Sequence, residues 1–282
     1  MSRPDFVIPF HRLPERFAEN VVHPPAVPAV PRPAATLILL REGEEGMEVL
    51  LMRRTRNAGF VPGAYVFPGG RVDAADADPS LLDRLDGLSP REAERRLELA
   101  AAHPPAVAYY VAALREAFEE TGILVGRTAA GGAPATGAED TAVDAVREEL
   151  MDDRLSFAEA LERMACRLDG GAVRYVGHWI TPVVEPRRYD TRFFAAEVPA
   201  GTRAVVDRRE MTDALWITPA AALSRQEEES LPMVFPTIRT LEQLSPHRRP
   251  GDALAALGQS PVPTVMPRLV VTPTGIGMEL DP

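Results

Sequence analysis

Apolar and polar positions along the chain follow two periods. Ala35-Thr36-Leu37-Ile38-Leu39-Leu40 is a nearly unbroken apolar run. It stops at the turn-like Arg41-Glu42-Gly43-Glu44-Glu45-Gly46, and Met47-Glu48-Val49-Leu50-Leu51-Met52 follows, which predicts a hairpin of buried strands. Gly63, Gly69 and Gly70 punctuate a loop around the apolar Tyr65-Val66-Phe67. Residues 79–99 read as helical and charged, and a further helix starts after Pro104-Pro105. A small-residue loop over 131–137 leads to a helical stretch over 139–168, with Val143, Val146, Leu150, Leu155, Phe157, Leu161 and Met164 on its buried side. Strands are predicted over 173–181, 191–197 and 213–217, a helix over 232–244, and a closing hairpin over 268–280 that turns at Thr274-Gly275. Pro24, Pro25, Pro28, Pro31 and Pro33 forbid a regular helix in residues 1–34, which read as an irregular or extended arm. Strands alternating with helices give an α/β class.

Composition narrows the picture. With 282 residues and 45% hydrophobic content, the chain can bury a large core, in one elaborated domain or two small ones. The net charge of −10 argues against nucleic acid as a partner, since such binding relies on basic surface to displace counterions. Every one of the 31 basic residues is arginine. That excludes Schiff-base chemistry, pyridoxal phosphate attachment and a Walker-type phosphate loop, all of which need lysine. The single Cys166, read as a small core hydrophobe, permits no intrachain disulfide, and a reducing cytoplasmic location is expected. No apolar run approaches a membrane span, and residues 1–5 lack a signal-peptide layout, so no membrane partner is expected.

Within residues 107–123, Val107, Val111, Leu114 and Phe118 form one apolar stripe. Glu116, Glu119 and Glu120 fall at i, i+3 and i+4 on another face, within about 6 Å of each other. Gly122 stands where a C-cap glycine belongs. Two of these acids lie in the last turn, where the helix dipole disfavours negative charge, and Arg115 offsets only part of that repulsion. A hard divalent cation such as Mg²⁺, or Mn²⁺ in its place, would resolve it. Arg147-Glu148-Glu149-Leu150 serves as a control: it also joins an arginine to acids, but with no glycine loop before it and no capping glycine after it, it reads as a plain surface helix.

Phe67-Pro68-Gly69-Gly70, Asp76 and Arg115-Glu116-Ala117-Phe118-Glu119-Glu120-Thr121-Gly122-Ile123 together resemble the Nudix box, G-x5-E-x7-R-E-U-x-E-E-x-G-U. Asp76 stands at the glutamate position, and the spacer is expanded to everything from Ala77 to Leu114. This split box is similar to that of the Nudix branch typified by the coenzyme A diphosphatase Nudix motif 19. So are residues 60–70, Trp179-Ile180-Thr181-Pro182 and residues 186–194. The resemblance implies a Nudix α/β/α sandwich with a mixed central sheet over residues 35–225. Helical insertions are expected near 77–106 and 138–170, with a C-terminal helix and hairpin over 226–282 packed on the domain. It further implies Glu119, Glu120 and the Gly69 carbonyl as metal ligands, and Glu116 as a metal ligand or the base for the attacking water. Arg115 would orient the glutamates, Asp76 would buttress Arg115, and Glu210, six residues before Trp216, would be a further catalytic acid.

The activity implied is pyrophosphate hydrolysis of a small nucleotide substrate, with coenzyme A or an acyl-coenzyme A foremost. The alternatives are ADP-ribose, NADH or a nucleoside triphosphate as substrate, or a nucleotide-binding regulator without turnover. Arg54, Gly70, Arg187 and Arg192 are the candidate substrate contacts. In the coenzyme A motif that precedes the box in such enzymes, Gly59 replaces the expected arginine, and Arg53 or Arg56 is the substitute available. Arg187 and Arg188 read equally as a solvated loop pair, and His178 as a residue satisfying a hydrogen bond within its strand. The insertions are large enough to wall a cleft or to form a homodimer surface.

Overall fold

In the computed structural model, which describes residues 6–13, 17–55, 63–100, 104–206 and 209–280, the apolar runs become strands covered on both faces. Strand β1 (Phe6–Pro9) and helix α1 (Phe17–Val22) precede the long hairpin β2 (Arg32–Gly43) and β3 (Gly46–Arg54), followed by the short β4 (Tyr65–Val66) and β5 (Gly69–Arg71). Leu37 and Leu39 on β2, with Leu50 and Met52 on β3, enter one apolar cluster. Ile38, Leu40, Val49 and Leu51 enter another on the opposite face. A strand buried on both sides loses the apolar–polar alternation of a half-exposed one, which is why these segments read as continuous runs.

The chain continues through α2 (Pro79–Leu82), β6 (Leu85–Asp86), α3 (Pro90–Leu97), α4 (Ala106–Thr121), β7 (Gly126–Thr128), α5 (Thr141–Met151), α6 (Phe157–Arg163) and β8 (Cys166–Asp169). Strands β9 (Arg174–Ile180), β10 (Tyr189–Glu197) and β11 (Met211–Ile217) follow, then α7 (Pro219–Glu227), α8 (Phe235–Leu244) and α9 (Pro250–Gln259). The chain ends in β12 (Thr264–Val265), β13 (Arg268–Val271) and β14 (Gly275–Glu279). The central sheet runs β11-β3-β2-β10-β9-β12, with β4 beside β3 and β5 beside β2. It is mixed: β10 lies parallel to β2, while β2–β3, β9–β10 and β3–β11 are antiparallel. Helix α4 packs on one face; α7, α8 and α9 cover the other, giving the expected α/β/α sandwich. No helix among the described residues is long and apolar enough to cross a membrane.

Three sequence expectations are corrected. The helical reading of 79–99 breaks at Leu85–Asp86, where Gly87 (φ +70°) turns the chain before Ser89 caps α3. The reading of 139–168 breaks after α5 at Asp153 (φ +55°), and Ser156 with Glu159 forms the capping box of α6. Cys166–Asp169 then pairs as a strand between β6 and β7, so both insertions meet in one small sheet, β6-β8-β7. The N-terminal arm is not wholly irregular: it holds α1, and β1 pairs antiparallel with β14 across the length of the chain. Helices α7 and α9 have no counterpart in the sequence reading, and the helix expected over 232–244 is α8.

The control segment also reads differently in space. Arg147 is buried, with its Nε donating to the Glu119 carbonyl (2.8 Å), Nη2 to the Val205 carbonyl (3.2 Å) and Nη1 to Asp144 (2.8 Å). The signal was its place between Val143 and Leu150, at i+4 and i+7 on the apolar face of α5. Arg147→Met should lower unfolding free energy by about 3 kcal/mol in urea denaturation, because a buried charge pair loses one member. Glu148→Gln, on the exposed side of the same helix, should stay within about 0.5 kcal/mol.

Candidate active site

Helix α4 supplies the acids, and its burial fixes their direction. From Ala106 to Leu114 every residue is buried, so the helix cannot rotate without exposing apolar surface. Its polar face begins at Arg115. Gly122 ends the helix at φ +68°, with its N–H donating to the Phe118 carbonyl. The side of α4 bearing Glu116 and Glu120 lies against Gly69 and Gly70 of β5. The Gly69 N–H donates to Glu120 Oε2 at 3.0 Å. A Cβ on Gly70 would stand 2.4 Å from the Glu116 carboxyl carbon, so a side chain there would push the Glu116 carboxylate from its place beside Arg115.

Arg115 organises the cluster. Its Nε and Nη2 donate to the two oxygens of Asp76 at 2.8 and 3.0 Å, a bidentate fork. Nη1 donates to Glu116 (2.9 Å) and Glu119 (3.0 Å), and Nη2 also reaches the Arg71 carbonyl. Asp76 is fully buried, and the Asp73 N–H donates to it within the short turn Ala74–Ala77. The two halves of the split motif therefore meet, although 39 positions separate Asp76 from Arg115.

The electrostatics are strained in the direction of protonation. Burial pushes the Glu119 carboxyl up to about 7, against the pull of Arg115. Burial also raises Glu116, partly countered by Arg115. Glu120 is held well above the ordinary carboxylate range by burial and by the nearby charge of Glu116. The Gly69 N–H and Arg54 act the other way on Glu120, and Glu210 adds to the repulsion. Arg115 resists burial and stays firmly charged through Asp76, Glu116 and Glu119.

Glu210 and Arg54 thus both stand within electrostatic reach of Glu120. The register explains it: Arg54 closes β3 opposite Met211, and the Thr55 N–H donates to the Glu210 carbonyl. The Glu210 side chain is exposed, and Arg54 Nε is buried without a hydrogen-bond partner among the described residues. Arg56 and Gly59 lie outside the described residues. Arg187 is exposed on the connection between β9 and β10. Its neighbour Arg188 is buried instead, donating to the carbonyls of Thr181 and Ala29, so the solvated-pair reading fails for it. Arg192 is buried on β10 beside His178 and Asp190, and is not part of the carboxylate cluster. His178 satisfies hydrogen bonds with Asp190 and Thr264, and Cys166 is a buried core thiol.

Among the described residues no three acidic, histidine or cysteine side chains are placed to close on one ion. Glu116 and Glu119 are turned to Arg115, and Glu120 to the Gly69 amide. The donor chemistry still fits a hard divalent cation: Asp76, Glu116 and Glu119 crowd around one guanidinium, and the buried Glu120 accepts from a neutral amide, so negative charge is in excess.

The family model of the NUDT19 Nudix domain matches residues 25–244. The acyl-coenzyme A diphosphatase NUDT19 of Gallus gallus is 31% identical over 231 residues, covering 70% of this chain and 61% of that protein. Its counterpart from Xenopus laevis is 28% identical over 225 residues, covering 70% and 59%. The chain thus spans about three-fifths of the length of these curated relatives. The crystal structure of a Nudix hydrolase from Alicyclobacillus acidocaldarius superposes with a TM-score of 0.68 at 29% identity, over 83% of this chain and 99% of that one. Nudix hydrolases generally use divalent metal ions. With the glycine loop, the arginine fork and the three glutamates assembled as described, the chain belongs to the NUDT19 Nudix domain family.

Proposed function

We propose that this chain hydrolyses the pyrophosphate of coenzyme A or an acyl-coenzyme A with Mg²⁺, giving 3′,5′-ADP and a phosphopantetheine product. The observation that carries the reading is the Arg115–Asp76 fork, which holds Glu116 and Glu119 beside Glu120 and the Gly69–Gly70 backbone. The substrate class is supported by the names of the two diphosphatase relatives and by Arg54, which keeps its motif position and stands near Glu120.

Glu119, Glu120 and the Gly69 carbonyl are the residues that would hold the metal, with Glu116 adjoining them. The cation, when bound, neutralises phosphoryl oxygens and lowers the pKa of attacking water. Arg115 orients two of the glutamates, and Asp76 fixes Arg115. Glu210 accepts the proton of the attacking water: its carboxylate is exposed where water reaches it, whereas Glu116 is committed to Arg115. Arg54, whose buried Nε–H has no hydrogen-bond partner among the described residues, would donate to a substrate phosphate.

Three outcomes are expected. Incubated with Mg²⁺ and a panel of coenzyme A, acyl-coenzyme A, ADP-ribose, NADH and nucleoside triphosphates, the protein should release 3′,5′-ADP from the coenzyme A compounds. Turnover confined to ADP-ribose would overturn the substrate assignment. Glu119→Gln and Glu120→Gln should each lower kcat by about 100-fold or more with the far-ultraviolet circular dichroism unchanged, and native turnover in both would refute the metal role.

The third concerns pH. Folding raises the Glu119 carboxyl from 4.5 to about 7, so the folded state binds that proton more tightly than the unfolded chain. Stability present below about pH 4.5 is then lost as pH rises through about 7. In EDTA, Tm should fall between about pH 5 and pH 7.5, and Mg²⁺ should raise it more at the higher pH, where the carboxylate is ionised. A Tm that is flat with pH in EDTA contradicts this.

A further inference from the structure

A second concavity of about 550 Å³ lies where β9 and the edge strand β12 approach α3. Four arginines line it, Arg95, Arg96, Arg174 and Arg192, against two glutamates, Glu92 and Glu98. None of them belongs to the carboxylate cluster on α4.

The arginines carry more donors than the acids can use. Arg192 is 4% exposed, and its guanidinium lies 4.8 Å from the centroid of the Tyr109 ring on α4. Its Nη1 donates to Asp190 (2.7 Å), but its Nε is buried with no hydrogen-bond partner among the described residues. Asp190 is shared, because His178 Nε2 lies 2.6 Å from the same oxygen. The other ring nitrogen of His178 meets the Thr264 hydroxyl at 2.8 Å on the pocket rim. Arg95 and Arg96 likewise share Glu92, and Arg174 donates to the carbonyls of Gly171 and Val173. An unmet buried guanidinium donor is costly unless something accepts from it.

The pocket is within reach of the glutamates. Gly70 pairs with Ala35, Ala35 with Arg192, and Arg192 with His178, in one row across the sheet. At about 4.8 Å per strand, Arg192 lies two strands or roughly 10 Å from Gly70. Both the Glu116 carboxylate and the Arg192 guanidinium stand on the α4 side of that sheet.

We infer that this pocket binds a phosphate monoester. Guanidinium forks match tetrahedral, doubly charged oxygens, and the volume admits a phosphate with part of the group that carries it. The phosphate has two possible sources: the 3′-phosphate of the substrate being cut at the glutamate site, or a separate phosphate-bearing molecule. Only the first source rests on the function proposed above.

The test compares native protein with the double variant Arg95→Gln/Arg174→Gln and the single variant Arg95→Gln. The Arg95 side chain is 73% exposed, so the single variant keeps the fold and remains informative if the double variant does not. Inorganic phosphate is titrated by calorimetry in EDTA, so that no metal at the glutamates contributes. Phosphate should bind the native protein and weaken by about tenfold in the double variant, with a smaller loss in the single one. In parallel, kcat/KM is measured for coenzyme A and for dephospho-coenzyme A, which lacks the 3′-phosphate. A native preference for coenzyme A of about tenfold that collapses in the variants identifies the substrate's own phosphate. A ratio that does not change, with phosphate binding weakened, identifies a separate ligand. Phosphate binding that is absent from the native protein, or equal in all three, overturns the inference. Failure to turn over coenzyme A at all would sink the proposed function while the calorimetry still decides the pocket.

Discussion

Arg115 holds together charges that would otherwise drive the site apart. Three glutamates and Asp76 converge on the end of one buried helix, and burial, with the glutamates' mutual repulsion behind it, pushes the glutamate carboxyls toward protonation. The guanidinium answers with its planar geometry: one edge forks onto Asp76, and the remaining nitrogen bridges Glu116 and Glu119. A lysine could supply the charge but not this set of fixed directions. Glu120 lies outside the arrangement and relies on the Gly69 amide and on Arg54. A divalent cation, of the kind Nudix hydrolases generally use, would complete the balance that arginine leaves unfinished.

The same constraint explains the insertion. Asp76 and Arg115 must meet, yet a long segment loops out between them. Loop closure costs grow only slowly with length, so such a segment is tolerated if it folds on itself. Here it is anchored by pairing β6 with β8, from the second insertion, so the two insertions brace each other. Arg147 extends the bracing to the far end of the helix, where it caps the Glu119 carbonyl and ties it to Val205. That connection precedes Glu210 by a few residues, so one buried arginine links two of the segments that carry acids.

The central sheet adds a second level of organisation. Because β2 pairs with β5 on one side and β10 on the other, Gly70 facing Glu116 and Arg192 facing the second pocket share a row. One sheet therefore sets the spacing between the glutamate cluster and the second pocket.

Much of this was legible in the sequence because the signals are local. Strands β2 and β3 declared themselves by runs of buried residues, and α4 by its apolar stripe. The i, i+3, i+4 spacing put Glu116, Glu119 and Glu120 on one face, and Gly122 marked its end. What sequence alone left open were features made by distant partners. The strands β6, β7 and β8 exist only through their pairing with one another, and β1 needs β14, which lies at the other end of the chain. Arg147 looked like a surface residue because only tertiary structure supplies the carbonyls it caps. Asp76 could be matched to a motif, but its reach to Arg115 required the chain to return across the whole insertion. Periodicity records which side of an element is buried, whereas the partner that buries it is decided only when the elements pack.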